Sequence, residues 1–159
     1  MWTVMPSPIG ELRIVERDGS ICAIEFEPFG PRAGQPLGDR DDARPVLVEA
    51  VRQLTAYFAG ELRDFDLPLA PAGSEFQHSV WRELRGIGYG ETTSYGEIAR
   101  RLGRTNAASR AVGLANGRNP IPIVIPCHRV IGASGTLTGY AGGLDRKQAL
   151  LALEADSLF

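Results

Sequence analysis

Along the first 27 residues apolar and polar positions alternate in short runs, WTVMPSPIG, ELRIVERDG and SICAIEFEP, punctuated by Gly and Pro. Alternation broken in this way predicts a β-region of short strands. From Pro28 to Pro45 the pattern dissolves into Pro, Gly and charged residues, which predicts a mobile loop. In PVLVEAVRQLTAYFAGE the period lengthens, and a stripe at positions 47, 48, 51, 54, 55 and 58 predicts a helix closing at Gly60. After FDLPLAPAG a second domain is expected, dividing the chain into residues 1–73, β-rich with one helix, and 74–159.

The second part reads mainly as helices. Ser74 with Gln77 forms a capping box ahead of an inner stripe of Phe76, Val80, Trp81 and Leu84. Ser94 with Glu97 repeats the device before YGEIARRL, which ends at Gly103. Thr105 or Asn106 then caps AASRAVGLAN, which stops at Gly117. Two short helices about a Gly-containing turn have the pattern of a helix-turn-helix. IPIVIPCHRV predicts a buried strand, IVI, bracketed by Pro122 and Pro126 and leading to Cys127 and His128. A glycine-rich loop, GASGTLTGYAGG, carries Tyr140, and DRKQALLALEADSL is a last helix capped by Asp145 with Gln148. The fold class is therefore α+β.

On a helical wheel the second helix of the pair places Ala108, Ala111, Val112 and Ala115 on a core face. The other side carries Arg110 near Asn106, Gly113 and Gly117, so it is almost bare. Glycine inside a helix costs about 1 kcal/mol, and close approach to another surface is a reason to bear it. A bare helix with one arginine suits a narrow groove. The alternative is that Gly113 admits a neighbouring helix and Arg110 points into water.

Composition changes this picture in three respects. An apolar content of 43% with nearly balanced charge marks a soluble globular protein. No apolar run approaches the roughly 20 residues of a membrane span, and MWTVMPSPIG lacks the features of a signal peptide, so a cytoplasmic location is expected. The charge is uneven: Ile98 to Leu144 holds six arginines and no acid, +6 against a chain total of −2, which leaves −8 elsewhere and predicts one basic face. Two cysteines in a reducing compartment stay thiols; Cys22, in the alternating SICAIEF, is read as a small buried hydrophobe. Two cysteines and two separated histidines do not assemble a metal site, and no cofactor is called for.

Cys127 is the candidate nucleophile. A thiol attacks as thiolate, so its free pKa of about 8.5 must fall, and His128 and Arg129 are the groups at hand. Neighbours on a strand point to opposite faces, so His128 acts more easily through a bridging water. Glu154 falls inside the apolar stripe of the last helix, with Leu144, Leu150, Leu151 and Leu158. A carboxylate there needs a partner, and His128 is the natural one, unless Glu154 sits at an exposed edge. The loop around Tyr140 either folds over a flat ligand or is an ordinary connection.

These segments, NPIPIVIPCHRVIG with SYGEIARRLG, SRAVGLANGRNP and LTGYAGGLDRKQALLALE, together resemble the O6-alkylguanine-DNA alkyltransferases, from about Phe76 to Glu154. The amino-terminal half resembles them only in a β-rich, ribonuclease-H-like outline. The resemblance implies an amino-terminal ribonuclease-H-like domain, a mainly helical, winged-helix-like domain with the helix-turn-helix, and a single-turnover methyltransferase. Such a protein binds duplex DNA through the minor groove, flips the damaged base, and moves the alkyl group from O6 of guanine, or O4 of thymine, to Cys127. His128, a water and Glu154 would form the relay, and Asn119 would brace the turn beside it. Tyr95 would contact the flipped base and assist its departure, while Arg110 fills the vacancy in the stack. Ala111, Gly113 and Asn106 would join Arg110 and Tyr95 at the DNA, and Val130, Tyr140, Ala141, Lys147 and Asn116 would surround the base. Ala141 stands where relatives have serine. The zinc held by some relatives has no ligand set here.

Three other readings compete. A binding protein that recognises the lesion without accepting the group would lack the cysteine. A helix-turn-helix regulator needs a side-chain-rich recognition helix and gains nothing from PCHR. A thiol hydrolase with a Cys-His-Glu relay would turn over. The expected partner is duplex DNA carrying O6-alkylguanine, bound by a monomer in solution with cooperative binding left open, and no membrane is involved.

Overall fold

The computed structural model describes residues 1–30, 37–132, 135 and 139–157. The chain divides into two compact units, Met1–Ala72 and Gly73–Phe159.

In the first unit β1 (Trp2–Met5), β2 (Leu12–Arg17) and β3 (Ser20–Phe26) form an antiparallel sheet in the order β1-β2-β3. Asp18 and Gly19, both at positive φ, make the β2–β3 turn, the geometry that matches strand twist in a two-residue hairpin. Central strand β2 is buried from Leu12 to Glu16, so its two charges are paired. Arg13 bonds Glu25 at 2.8 Å and stacks on Phe29. Glu16 takes Arg44 at 2.9 Å. Cys22 is buried in the core.

Helix α1 (Pro45–Phe58) buries Leu47, Ala50, Gln53, Leu54 and Tyr57. The expected stripe is thus rotated: Val48 is 49% exposed and Tyr57 fully buried. Gln53 causes the rotation. Its amide donates to the carbonyl of Asp66 and accepts from the Asp66 N–H, both at 2.9 Å, which turns a polar side chain inward. Part of the predicted 28–45 loop, residues 31–36, lies outside the described residues. Its later part is tied to β1, with the Trp2 N–H on the Asp39 carbonyl and the Asp41 N–H on that of Trp2.

The second unit contains α2 (Glu75–Leu84), β4 (Thr93–Ser94), α3 (Tyr95–Arg101), α4 (Ser109–Gly117), β5 (Val130–Ile131) and α5 (Leu144–Asp156). Both halves of the Ser74–Gln77 box form, at 3.1 and 2.9 Å. Trp81 donates its indole N–H to the Ala115 carbonyl at 2.9 Å, fixing α2 against α4. Ser94 caps α3, but the Glu97 carboxylate turns to Arg100 and Arg101 instead of completing a box. Neither Thr105 nor Asn106 caps α4 with its side chain; a 3-10 turn, Asn106–Ala108, leads in. α3 meets the 3-10 turn ahead of α4 closely at Gly96, where a Cβ would lie 2.8 Å from Asn106 Oδ1. In α5 the Asp145–Gln148 cap is absent, because Gly143 at φ 89° starts the helix earlier and leaves Asp145 in its first turn, where a negative charge suits the dipole.

The IVI strand does not form. Residues 121–125 make a tight turn closed by the Ile125 N–H on the Ile121 carbonyl at 3.0 Å, with Ile123 at φ 75°. Two prolines without N–H groups leave too little backbone for a ladder. Asn119 holds the turn instead, accepting from the Ile121 N–H at 3.0 Å and donating to the Ile125 carbonyl at 2.8 Å. The strand comes after the cysteine: β5 pairs in parallel with β4, which carries the Ser94 cap of α3. No helix of the described residues is long and apolar enough to cross a membrane.

Candidate active site

Cys127, His128 and Arg129 wind as one 3-10 turn, so strand alternation does not govern where their side chains go. All three are buried, His128 completely. Glu154 reaches the turn from α5 and is 1% exposed. Its Oε2 lies 2.7 Å from His128 Nε2, and Arg129 grips both oxygens, Nε to Oε1 at 2.9 Å and Nη2 to Oε2 at 3.1 Å. The Gly90 N–H adds a donor to Oε1 at 3.1 Å. Arg129 also donates to the Ile87 carbonyl at 2.6 Å and lies over the Tyr89 ring. A buried carboxylate is tolerable only with such compensation.

That arrangement fixes the tautomer of His128. Burial holds the imidazole's pKa below its usual range, against the pull of Glu154, so the ring is neutral. With Nε2–H donated to Glu154, Nδ1 carries the lone pair. Nδ1 is buried and has no hydrogen-bond partner among the described residues. It is a base waiting for a proton.

The thiol differs from the expectation. Burial pushes Cys127 up to about 11, opposed by a hydrogen bond with Asn119, the Lys147 charge and Tyr140. The resting sulfur keeps its proton, because desolvation of a thiolate in this packing outweighs the helpers. Attack of a small neutral electrophile such as iodoacetamide on Cys127 is therefore expected to quicken about tenfold per pH unit well above the free-thiol value of about 8.5. Rates measured against pH with Cys22 replaced would reveal a plateau near that value if the thiol were unperturbed.

Lys147 is fully buried, donates to the Val130 carbonyl at 2.6 Å, and is held below its ordinary pKa by burial. Asn116, 2% exposed, donates from Nδ2 to the Cys127 carbonyl at 3.3 Å.

Beside this centre opens a cavity of about 690 Å³. Tyr95, Arg110 and Gly113 line it from the helix pair, and Tyr140 and Ala141 from the loop. A Cβ on Gly113 would lie 3.8 Å from the Tyr95 ring, an ordinary contact, so packing of the two helices does not itself require glycine there. Val130, Lys147 and Asn116 do not line the cavity; they are packed among buried residues. Asn106 belongs to a second recess, of about 600 Å³, with Ser94 and Arg100. Glycine-loop residues 133, 134 and 136–138, and Leu158 of the expected stripe, lie outside the described residues.

Three readings of the arginine helix need correction. Ala111 is exposed and does not belong to the core face, which Val112, Ala115 and Asn116 make. The outer face is not bare around one cation: Leu114, 61% exposed, and Arg118 also line the cavity. Their spacing from Arg110, four and eight residues on, was the available signal. The six arginines do not form one basic face either. Arg129 is buried against Glu154, Arg100 and Arg101 meet Glu97, and Arg104 stacks over Phe76 at 4.9 Å.

Comparison with known proteins matches nearly all of the chain in two parts. Residues 1–71 fit the 6-O-methylguanine DNA methyltransferase ribonuclease-like domain, and residues 75–156 fit the DNA binding domain of the same description. A methylated-DNA–protein-cysteine methyltransferase of Methanosarcina acetivorans is 68% identical over 153 residues, covering 96% of this chain and 97% of that one. The crystal structure of the Mycobacterium tuberculosis O6-methylguanine methyltransferase superposes with a TM-score of 0.89 at 48% identity, covering 98% and 93% of the two chains. Mycobacterium tuberculosis OGT in complex with DNA gives 0.86 at 47% identity over the same shares. An amino-terminal antiparallel sheet, a carboxy-terminal helical unit, a buried cysteine beside a neutral histidine, and matches along both units agree on one assignment: the chain belongs to the 6-O-methylguanine DNA methyltransferase family.

Proposed function

We propose that the chain repairs duplex DNA by moving the O6-alkyl group of guanine irreversibly to Cys127, with O4-alkylthymine as a second substrate. The observation that carries this is the buried cluster of Cys127, His128, Glu154 and Arg129, joined through Tyr140 to a cavity that an exposed helix-turn-helix arginine lines. His128 Nδ1 takes the thiol proton through a bridging water, and the imidazolium is stabilised by Glu154. The thiolate sulfur then bonds to the alkyl carbon as the carbon–oxygen bond breaks. The electron pair passes to the guanine, which leaves neutral with a proton delivered by Tyr95. A thioether remains, without a leaving group, so each molecule acts once.

The target atom is stacked and paired in a duplex, so the base must be everted. Arg110 enters the stack in its place, from a helix whose Gly113 and exposed Ala111 allow close approach in the minor groove, with Asn106 and Tyr95 alongside. Tyr140 and Ala141 wall the base, Val130, Lys147 and Asn116 back it, and Asn119 holds the turn that presents Cys127. A similar structure obtained with DNA supports DNA as partner. The lesion specificity, a monomeric state and a cytoplasmic location belong to this reading.

Mixing with a duplex containing O6-methylguanine should add one methyl group to the Cys127 peptide by mass spectrometry; methylation elsewhere, or none, would remove the reading. Arg110→Ala should slow repair of the duplex at least tenfold while barely changing reaction with free O6-benzylguanine, since only the duplex has a stack to refill. Equal losses on both substrates would deny Arg110 that part.

A further inference from the structure

We propose that Leu114 is a second wedge beside Arg110: an apolar side chain that enters the minor groove and covers the sugar and base-pair surface laid open when the target nucleotide leaves the stack. The inference rests on the function proposed above and adds to it a positioning residue that acts on the duplex and not on the sulfur.

Leu114 follows Arg110 by one turn of α4 and precedes Arg118 by another, so the three project from one side of the helix at steps of about 6 Å. All three are exposed and line the cavity shared with Tyr140. Between them on that wall stand Gly113 and Gly117, which have no side chains. Leu114 is therefore the one large apolar group that α4 exposes. At 61% it is also the most exposed large hydrophobic among the described residues.

Charge decides what covers it. Of the six arginines in the segment from Ile98 to Leu144, four are engaged within the protein: Arg100 and Arg101 with Glu97, Arg104 with Phe76, and Arg129 with Glu154. Arg110 and Arg118 have no ion pair or ring contact among the described residues. These two are the ones that flank Leu114. An apolar protein partner would have to desolvate an uncompensated cation on each side of the leucine, which is costly. A minor groove suits both kinds of group. Its two edges are anionic phosphates, which take the arginines, and between them lie sugars and stacked base pairs, against which apolar wedges pack in proteins that bind there.

Eversion is the step that needs such a group. Removing a nucleotide from a duplex uncovers the faces of the neighbouring pairs and sugar surface around the gap, at a cost that falls as they are covered again. Arg110 brings a guanidinium whose donors still require acceptors. A leucine one turn away covers apolar surface and leaves no donor unmet.

The test crosses the side chain with strandedness. Single-turnover transfer to Cys127 is measured for the unaltered protein, Leu114→Ala, Leu114→Met and Leu114→Gln on one O6-methylguanine oligonucleotide, annealed to its complement or left single-stranded. Leu114→Ala should slow the duplex reaction by roughly 3- to 30-fold. The ratio of duplex to single-strand rates should fall by about threefold or more, because a lone strand has no base pair to open. Leu114→Met, apolar and of similar size, should hold the ratio within about twofold, whereas Leu114→Gln should lose it as alanine does. The single-strand rate shows in each case that the variant is folded and its thiol competent. An unchanged ratio in Leu114→Ala, or a ratio that Leu114→Gln keeps as well as Leu114→Met, would overturn the wedge and leave the proposed function standing. So would self-association of the unaltered protein in sedimentation that Leu114→Ala abolishes, since a second copy would then be what covers the leucine. Failure of the unaltered protein to methylate Cys127 from the duplex would remove the proposed function itself.

Discussion

Replacing Cys127 with alanine is expected to abolish methyl transfer completely while leaving binding to an O6-methylguanine duplex within about twofold, because surface groups away from the sulfur supply the affinity. The side chain is 3% exposed, so its removal opens only a small void and should cost about 1 kcal/mol of stability. A shift assay on damaged duplex, paired with transfer of a labelled methyl group, checks both halves. Residual stoichiometric transfer would show that the sulfur is not the acceptor. Loss of binding together with transfer would show that the thiol organises the DNA surface.

Glu154→Gln should have the largest effect on the folded state. The carboxylate pairs with Arg129 through both oxygens and with His128 inside a region that is almost wholly buried. A neutral amide leaves the guanidinium charged, desolvated and without its counter-ion, a change that typically costs about 3–5 kcal/mol. Urea unfolding measures it, and transfer at a temperature where the variant is folded should fall at least 100-fold as the histidine loses its anionic partner. The double replacement Arg129→Met with Glu154→Leu separates the two roles. Removing both charges together should recover much of the stability, but not the rate. Recovery of the rate along with the stability would mean that Glu154 serves packing alone.

The two expectations rest on different physics, and the thiol shows why. Burial raises Cys127 and lowers His128, so at neutral pH both partners of the proton transfer stand uncharged. Transfer then creates a thiolate and an imidazolium in one step, in a setting already supplied with Glu154 on one side and Lys147 on the other. A thiol kept neutral at rest is guarded from wandering electrophiles, which suits a protein that acts once.

Much of this was readable along the chain. The alternating strands, the Ser74–Gln77 cap and the helix pair follow from local rules, since each depends on residues within one turn or hairpin. Glu154 is buried as expected, but the expected leucine stripe is not the buried face: Leu144 is 48% exposed, and Lys147, Leu150 and Glu154 turn inward. Readings failed where a distant partner set the outcome. Gln53 turned α1 about its axis by engaging Asp66, and Asn119 folded an apolar run that looks like a strand into a turn. Ala111 lay on the wrong side because the core face of α4 is chosen by Trp81 and by the Cys127 turn, contacts 34 and 11 residues away in sequence.

The sequence alone determined which groups are available: one thiol next to a histidine, a carboxylate on an apolar stripe, an arginine on a helix with small neighbours. Only the tertiary structure decided how they are used. It gave Arg129 to Glu154 and not to a basic surface, left lone pairs open on His128 and Asn116, and set the thiol's acidity by burial. Composition and period are local properties of a chain. Desolvation and hydrogen-bond saturation depend on everything packed around an atom, and most of that comes from far along the sequence.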